Sequence, residues 1–451
     1  MLAIRFSPWN FVMIAKPFTV ISIFSGGMGL DVGLEQTGRY DLLAAVEVDP
    51  IFCETIRANR DAGRIGSQDT QVYNIDIRDL DPQTLLDDLG IEPGDLDLLI
   101  GGPPCQAFST SGRRQSVEDR RGTLLWDFIR FVEVLQPKYF LMENVRGLVS
   151  ASLRHRPIAE RPDRGGKPLA ADEQPGSVLR QFAADLAALE GGRYRVDAFE
   201  VNAANYGAAQ IRERLLCIGN RMGQVVEFPE PTHGVETESS ERRFTTLGDV
   251  IGKLTETKPE VLDFSPRKKS FLRMVPPGGN WRSLPEEIQR ESMGRAFHAK
   301  GGRSGWWRRL SMDLPCPTIV TMPNHASTSL CHPTEVRALS VRECALVQGF
   351  PHDWTFAGRT QDKYVQIGNA VPTVLGRVAG DVIADHLGST EGQTRDHAVD
   401  DFRVVYLRSH IRTRRWFSNG KSVVWGDGDA DTATYSAPVT QRRERALGTA
   451  C

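Results

Sequence analysis

The chain of 451 residues is long enough for roughly three structural units and a sizeable buried core. Its 40% hydrophobic, 25% charged and 8% aromatic residues exclude collagen-like, wholly disordered and membrane-spanning chains, and no apolar run reaches the roughly 20 residues of a membrane helix. Lys and Arg number 55 against 57 Asp and Glu, which excludes a uniformly basic nucleic-acid binder but leaves room for a local basic face. The opening stretch is interrupted by Pro8, Asn10 and Lys16 and lacks a secretory cleavage site, so an intracellular protein is expected. Seven cysteines, at positions 53, 105, 217, 316, 331, 344 and 451, contain no Cys-x-x-Cys pair, and neither a disulfide framework nor a zinc ribbon is suggested.

In chain order, the apolar run at 18–24 reads as a strand buried on both faces, followed at once by a glycine turn and a helix. Further strands are expected at 42–50, 96–102, 138–144 and 213–219. Helical faces lie between them, one through Leu124, Leu125, Phe128, Ile129, Val132 and Leu135, another through Val178, Leu179, Phe182, Leu186 and Leu189. This alternation predicts a doubly wound α/β domain that binds ligands at the carboxyl ends of its strands. Residues 150–176, rich in Arg, Pro and Gly, read as a surface insertion without chemistry. From 226 to 336 periodicity fades into an irregular segment. Regular patterning then returns, with Ser340 and Glu343 at capping-box spacing and a helix over 373–387. The tail holds isolated strand-like runs, FRVVYL and KSVVWG, with no function assigned.

Phe24, Ser25, Gly26, Gly27, Met28 and Gly29 follow the first strand, and Glu47 closes the next. Glycines there permit a tight turn against a ligand, and a carboxylate at that offset suits ribose hydroxyls. Asp76, after another short apolar segment, suits an adenine amino group. The same glycines also fit plain packing of helix on strand. Next, Pro103 and Pro104 stiffen a strand exit and present Cys105 as a nucleophile, although a free cysteine is more often an inert buried residue. Glu143 ends a further strand, either as a solvated carboxylate or as a buried proton donor near Cys105. In Gln210-Ile211-Arg212-Glu213-Arg214, strand alternation predicts both guanidiniums on one face, suited to a phosphate, a base carbonyl or surface salt bridges. Gln366-Ile367-Gly368-Asn369-Ala370-Val371-Pro372 is read as opening a helix whose N-terminus meets a carboxylate, with Asn369 as an added donor.

With FSGGMG, GGPPCQAFS, ENVRG, QIRER, SVRECALVQGFP and QIGNAVP in this order, the chain resembles the DNA cytosine-5 methyltransferases from residue 18 to about 387. Met28 departs from that pattern, which often has a glycine there. The resemblance implies an α/β, Rossmann-like doubly wound mixed sheet of the class I methyltransferase fold. Residues 18–225 and 337–387 build the catalytic domain, a target-recognition domain over 226–336 is inserted, and 1–17 and 388–451 are extensions. It implies S-adenosylmethionine as cofactor, held by Phe24, Ser25, Gly26, Gly27, Gly29, Glu47, Asp76, Pro104, Asn369 and Val371. By the same resemblance Cys105 adds to C6 of cytosine, Glu143 holds N3 and the exocyclic amine, Arg214 the C2 carbonyl, and Arg212 the nearby backbone. The base must leave the duplex, so residues 106–123 resemble a closing loop, with Gln106, Ser109 and Ser111 as DNA contacts; a plain connector is the alternative.

Between 261 and 310, eleven Lys or Arg stand against four Asp or Glu, with Trp281, Trp306 and Trp307 interleaved. Arg303, Arg308 and Arg309 are the expected DNA contacts, against a solvated basic face over core tryptophans. His325 and His332 lack metal-ligand spacing, and no metal is expected. The expected partners are double-stranded DNA and a separately acting restriction endonuclease, for a monomer in a prokaryotic cytoplasm. A tRNA cytosine-5 methyltransferase and a non-catalytic DNA-binding regulator are the competing readings. An amino-methylating enzyme would carry Asp or Asn before Pro-Pro and an aromatic after it, where this chain has Gly102 and Cys105.

Overall fold

The computed structural model describes residues 16–104, 124–189, 194–234, 242–298, 303–389, 402–407, 416–418, 421–423 and 443–446. Its strands are β1 (Phe18–Ile23), β2 (Tyr40–Glu47), β3 (Gln71–Asn74), β4 (Leu98–Gly101), β5 (Tyr139–Val145), β6 (Arg195–Asn202), β7 (Gln210–Ile211) and β8 (Glu213–Asn220). Seven more follow: β9 (His233–Gly234), β10 (Arg242–Arg243), β11 (Cys316–Pro317), β12 (Arg403–Leu407), β13 (Trp416–Ser418), β14 (Lys421–Val423) and β15 (Arg443–Ala446). Nine of these form one mixed sheet, ordered β15-β12-β6-β8-β5-β4-β1-β2-β3. From β3 to β5 all neighbours are parallel, whereas β8 runs antiparallel to both β5 and β6. Strand order reverses between β1 and β4, and in such sheets the crevice beyond the carboxyl ends at that point is the ligand site.

Helices α1 (Gly29–Glu35), α2 (Pro50–Asp61), α3 (Pro82–Leu89), α4 (Leu124–Leu135) and α5 (Ser177–Ala187) alternate with the first strands. Three more, α6 (Leu247–Ile251), α7 (Pro266–Met274) and α8 (Glu286–Met293), lie in the irregular segment. The chain then returns through α9 (Val341–Gln348), α10 (Thr360–Asn369) and α11 (Thr373–Gly388). Period-two alternation sorts each strand between two cores. Val20, Ala45, Leu98 and Leu141 join the return helices, while Ile21, Val46, Leu99 and Phe140 face α3, α4 and α5. A third cluster, around Phe271, Leu272, Trp281 and Trp307, belongs to 264–338 alone.

Three features differ from the sequence reading. QIGNAVP does not open a helix: its first four residues close α10, and Ala370, Val371 and Pro372 form the corner before α11. Pro372 offers no N–H and disfavours helical geometry at Val371, so the corner falls where the proline dictates. The chain between 210 and 220 is two strands, because Gln210 and Ile211 leave the sheet to pair with Cys316 and Pro317. Residues 195–202 form an unanticipated central strand, and the tail run at 403–407 joins the sheet beside it. The 150–176 insertion lies largely at the surface, as read from the sequence, with short helical turns and with Arg154 and Arg156 both gripping the buried Glu173.

Candidate active site

The turn after β1 is bent by three left-handed residues, Phe24, Gly26 and Met28, with φ of 54°, 53° and 67°. Met28 ends this turn as the N-cap of α1, a conformation that costs a side-chain-bearing residue about 1–2 kcal/mol, and its fully buried side chain offsets that. That local geometry explains why a glycine suits the position. Glu47, buried at the carboxyl end of β2, braces the turn. Its Oε2 accepts from Gly26 N–H at 2.8 Å and its Oε1 from Asp49 N–H at 2.9 Å. Burial raises the carboxyl above its ordinary range, and these backbone donors oppose the rise. The Ser25 hydroxyl is used inside the turn, 3.0 Å from Ser22 Oγ and 3.3 Å from the Val46 carbonyl. Asp76 is held by Arg78 in a two-point pair that pulls its carboxyl down to about 2.

Two glycines of the turn have different reasons. A side chain on Gly29 would lie 2.0 Å from the Val371 carbonyl, so Gly29 lets α1 meet the returning corner. At Gly26 the nearest atom to a Cβ is 3.8 Å away, which leaves an open side for a ligand. Asn369 is exposed and Val371 buried at that corner.

The loop after β4 leaves the other side of the crevice, with Pro103 buried and Pro104 exposed. Cys105, Gln106, Ser109 and Ser111 lie outside the described residues. Glu143, near the end of β5, turns its carboxylate onto this loop, its Oε2 only 3.2 Å from where a Cβ on Gly102 would stand. Arg214 Nε lies 2.6 Å from Glu143 Oε1, with both side chains about nine-tenths buried. The N–H does not point along that line, so the contact is one of charge rather than a linear hydrogen bond. Burial pushes the Glu143 carboxyl up, while Arg214 and then Arg212 pull it down. Arg212 and Arg214 have separate partners. Arg212 is buried and donates to the Ile319 carbonyl at 2.9 Å and the Gly368 carbonyl at 2.8 Å.

Arg303, Arg308 and Arg309, the expected DNA contacts, each turn N–H groups onto backbone carbonyls. Arg303 donates to the carbonyls of Ala296 and Phe297 and lies over the Trp281 ring. Arg308 donates to Ser329, and its burial lowers the guanidinium to about 10. Arg309 reaches the carbonyls of Val275, Pro333 and Thr334. All three brace loops around the third core, and Trp281 and Trp307 sit inside it.

Three residues escaped the sequence reading. Asn144 donates from Nδ2 to the Pro103 carbonyl at 3.1 Å and so fixes the loop before Cys105. Gln348 is buried behind the corner. Val48 is 58% exposed beside Glu47, an apolar lip to the crevice. Only Val48 left a signal, as an apolar residue between two carboxylates at a strand end. Among the described residues no cluster of three metal-ligating side chains occurs, and no helix is long and apolar enough to cross a membrane.

The C-5 cytosine-specific DNA methylase family model matches residues 18–384. The Type II methyltransferase M.Sau96I of Staphylococcus aureus is 35% identical over 372 residues, 82% of this chain and 77% of the relative. M.Eco47II of Escherichia coli is 35% identical over 371 residues, 80% and 78% of the two chains. M.PspPI of a Psychrobacter strain is 35% identical over 385 residues, 84% and 82%. A crystal structure of an Escherichia coli prophage-encoded protein, 23% identical, superposes with a TM-score of 0.54 over 82% of this chain and all of that one, a likeness of fold.

Proposed function

The chain belongs to the C-5 cytosine-specific DNA methylase family, and from that premise we propose that it methylates C5 of a flipped-out cytosine within one short DNA sequence, with S-adenosylmethionine as donor. The observation that carries the site assignment is Glu143, a buried carboxylate charge-paired to Arg214 and laid against the Gly102 loop that leads into Cys105. The turn fits the donor: Gly26 has an open side, Glu47 keeps lone pairs beyond its two backbone bonds, and Val48 offers an apolar surface. Phe24 to Gly29, Glu47, Val48 and the corner at Asn369 and Val371 would hold it, and bound there it supplies a sulfonium methyl. With Arg78 already paired to it, Asp76 contributes a remaining acceptor edge rather than a free carboxylate.

The Cys105 thiolate forms a bond to C6, which makes C5 electron-rich enough to attack a methyl group. Glu143 stabilises the ring at N3 and the exocyclic amine through this addition, and its raised proton affinity suits sharing a proton there. Arg214 orients Glu143 and offers donors to the C2 carbonyl. After transfer a base takes the C5 proton and the thiolate leaves, restoring the aromatic ring. Gln106, Ser109 and Ser111 belong to the loop assigned to close over DNA. For phosphate contact, exposed Arg267, Arg273 and Arg295 replace Arg303, Arg308 and Arg309. One asymmetric recognition segment over 226–336 needs no second copy, so a cytoplasmic monomer is the working form. The relatives' Type II names support a companion endonuclease acting separately at the same site.

Expression in a host lacking cytosine methylation, followed by base-resolution sequencing for 5-methylcytosine, tests this. Methylated cytosines all within one motif, and none with Cys105→Ala, are expected. Unchanged methylation by Cys105→Ala would overturn the mechanism, and a blank genome with methylated tRNA would overturn the substrate.

A further inference from the structure

Two buried amides and a guanidinium tie the inserted segment to the corner between α10 and α11. Gln210, fully buried in β7, sits in register with Cys316 of β11. Its Oε1 accepts from Ile319 N–H at 3.2 Å, and its Nε2 donates to Gln348 Oε1 at 2.5 Å. Gln348, at the end of α9, passes the chain on: its Nε2 donates to the carbonyls of Ile367 and Ala370. Arg212 runs alongside, from the Ile319 carbonyl to the Gly368 carbonyl. Both backbone polar groups of Ile319 are therefore held, as are the carbonyls of 367, 368 and 370.

That corner is the wall on which the glycine turn rests. A Cβ on Gly27 would stand 2.8 Å from the Gln366 carbonyl, and one on Gly29 2.0 Å from that of Val371. No slack separates them. In a dry interior an amide that loses its partner finds no water to replace it, so a shift of Ile319 is passed along the relay rather than absorbed.

We propose that Gln210 and Gln348 are positioning residues that couple the seating of the inserted segment on DNA to the shape of the donor-binding turn, making DNA and donor binding cooperative. The inference rests on the function proposed above. By linkage, DNA tightens donor binding by the factor by which donor tightens DNA binding. Coupling through packed groups has to be shown energetically rather than by adjacency, and the double variant provides that.

The test titrates S-adenosylhomocysteine into the full chain by calorimetry, with and without sheared genomic DNA from a host lacking cytosine methylation. DNA is expected to tighten wild-type binding by about five- to tenfold. In Gln348→Met, which keeps volume but loses both donations, that ratio falls below about twofold, and adding Gln210→Met lowers it no further. A variant that binds more weakly yet keeps the wild-type ratio assigns Gln348 a merely structural role and overturns the inference. So does wild-type binding without any coupling. Wild-type chain that binds no S-adenosylhomocysteine at all overturns the proposed function together with it. Should the variants not fold, hydrogen exchange in the wild type decides: DNA is expected to slow the amides of 366–371, and unchanged exchange there overturns the coupling.

Discussion

Asn144 holds the carbonyl of Pro103 from the adjacent strand at 3.1 Å, one residue after Glu143 and two before Cys105. Glu143 and the loop leading into Cys105, the proposed proton-sharing carboxylate and the proposed nucleophile, are thereby tied to consecutive residues of β5.

Replacing Asn144 with Ala should therefore disturb catalysis more than binding. The fold should survive, with a loss of about 1–3 kcal/mol for the stranded carbonyl. A loop displaced by about 1 Å costs on the order of 100-fold in turnover. Single-turnover methylation should slow by that order while S-adenosylhomocysteine affinity stays within about threefold of wild type. An unchanged rate would separate Asn144 from the placement of Cys105.

Asp31 lies beneath the glycine turn, and burial raises its carboxyl from 3.8 to about 7, with Ser22 opposing. Its Oδ1 has no hydrogen-bond partner. Between these values the native state keeps a proton that the unfolded state has released, so stability falls as pH rises from about 4 to 7 and the penalty is complete above 7. Asp31→Asn should flatten that slope and stabilise the protein at pH 8 by roughly 2–4 kcal/mol. Urea melts across the range measure it. A slope identical to wild type would show that other groups set the pH dependence.

The expected strands at 18–24, 96–102 and 138–144 are visible in the sequence because apolar residues run almost unbroken where helices cover both faces of the sheet. Glu143 is visible for the same reason, as the first charge after such a run. The strand at 195–202 is not, since Arg195, Asp197 and Glu200 break the run: Arg195 pairs with Asp197, while Asp197 also accepts from the distant Val226 and Glu200 lies by Arg146. At 303–309 a count of arginines does not reveal that Arg303, Arg308 and Arg309 each donate to backbone carbonyls within their own segment. Gln348 was invisible because a lone glutamine in a helix gives no sign that Gln210, 138 residues away, will meet it.

The contrast between carbonyl-bound and exposed arginines predicts opposite phenotypes. Arg308→Ala should lose about 1–3 kcal/mol of stability through the unpaired Ser329 carbonyl and lost packing. Arg273→Ala, on the exposed face of α7, should leave the thermal midpoint unchanged and weaken DNA binding, with the salt slope reduced by about 1. If Arg308→Ala left stability intact and lowered only the salt slope, the bracing role would be wrong.

The tail is part of the nine-stranded sheet. β12 pairs in parallel with β6, Val404 is fully buried, and Phe402 and Leu407 are each 2% exposed. Their side chains join both cores, and β6 in turn flanks β8, which carries Arg214. Ending the chain at Ser389 would remove three buried apolar side chains, whose burial is worth about 1.5–3 kcal/mol each as an upper bound, and would turn β6 into an open edge prone to association. The truncated protein should lose several kcal/mol of stability, read as a lower urea midpoint, and self-associate, with turnover lost in proportion to the folded fraction. A midpoint equal to that of the full chain would mean that β12 merely lies on a sheet already complete without it.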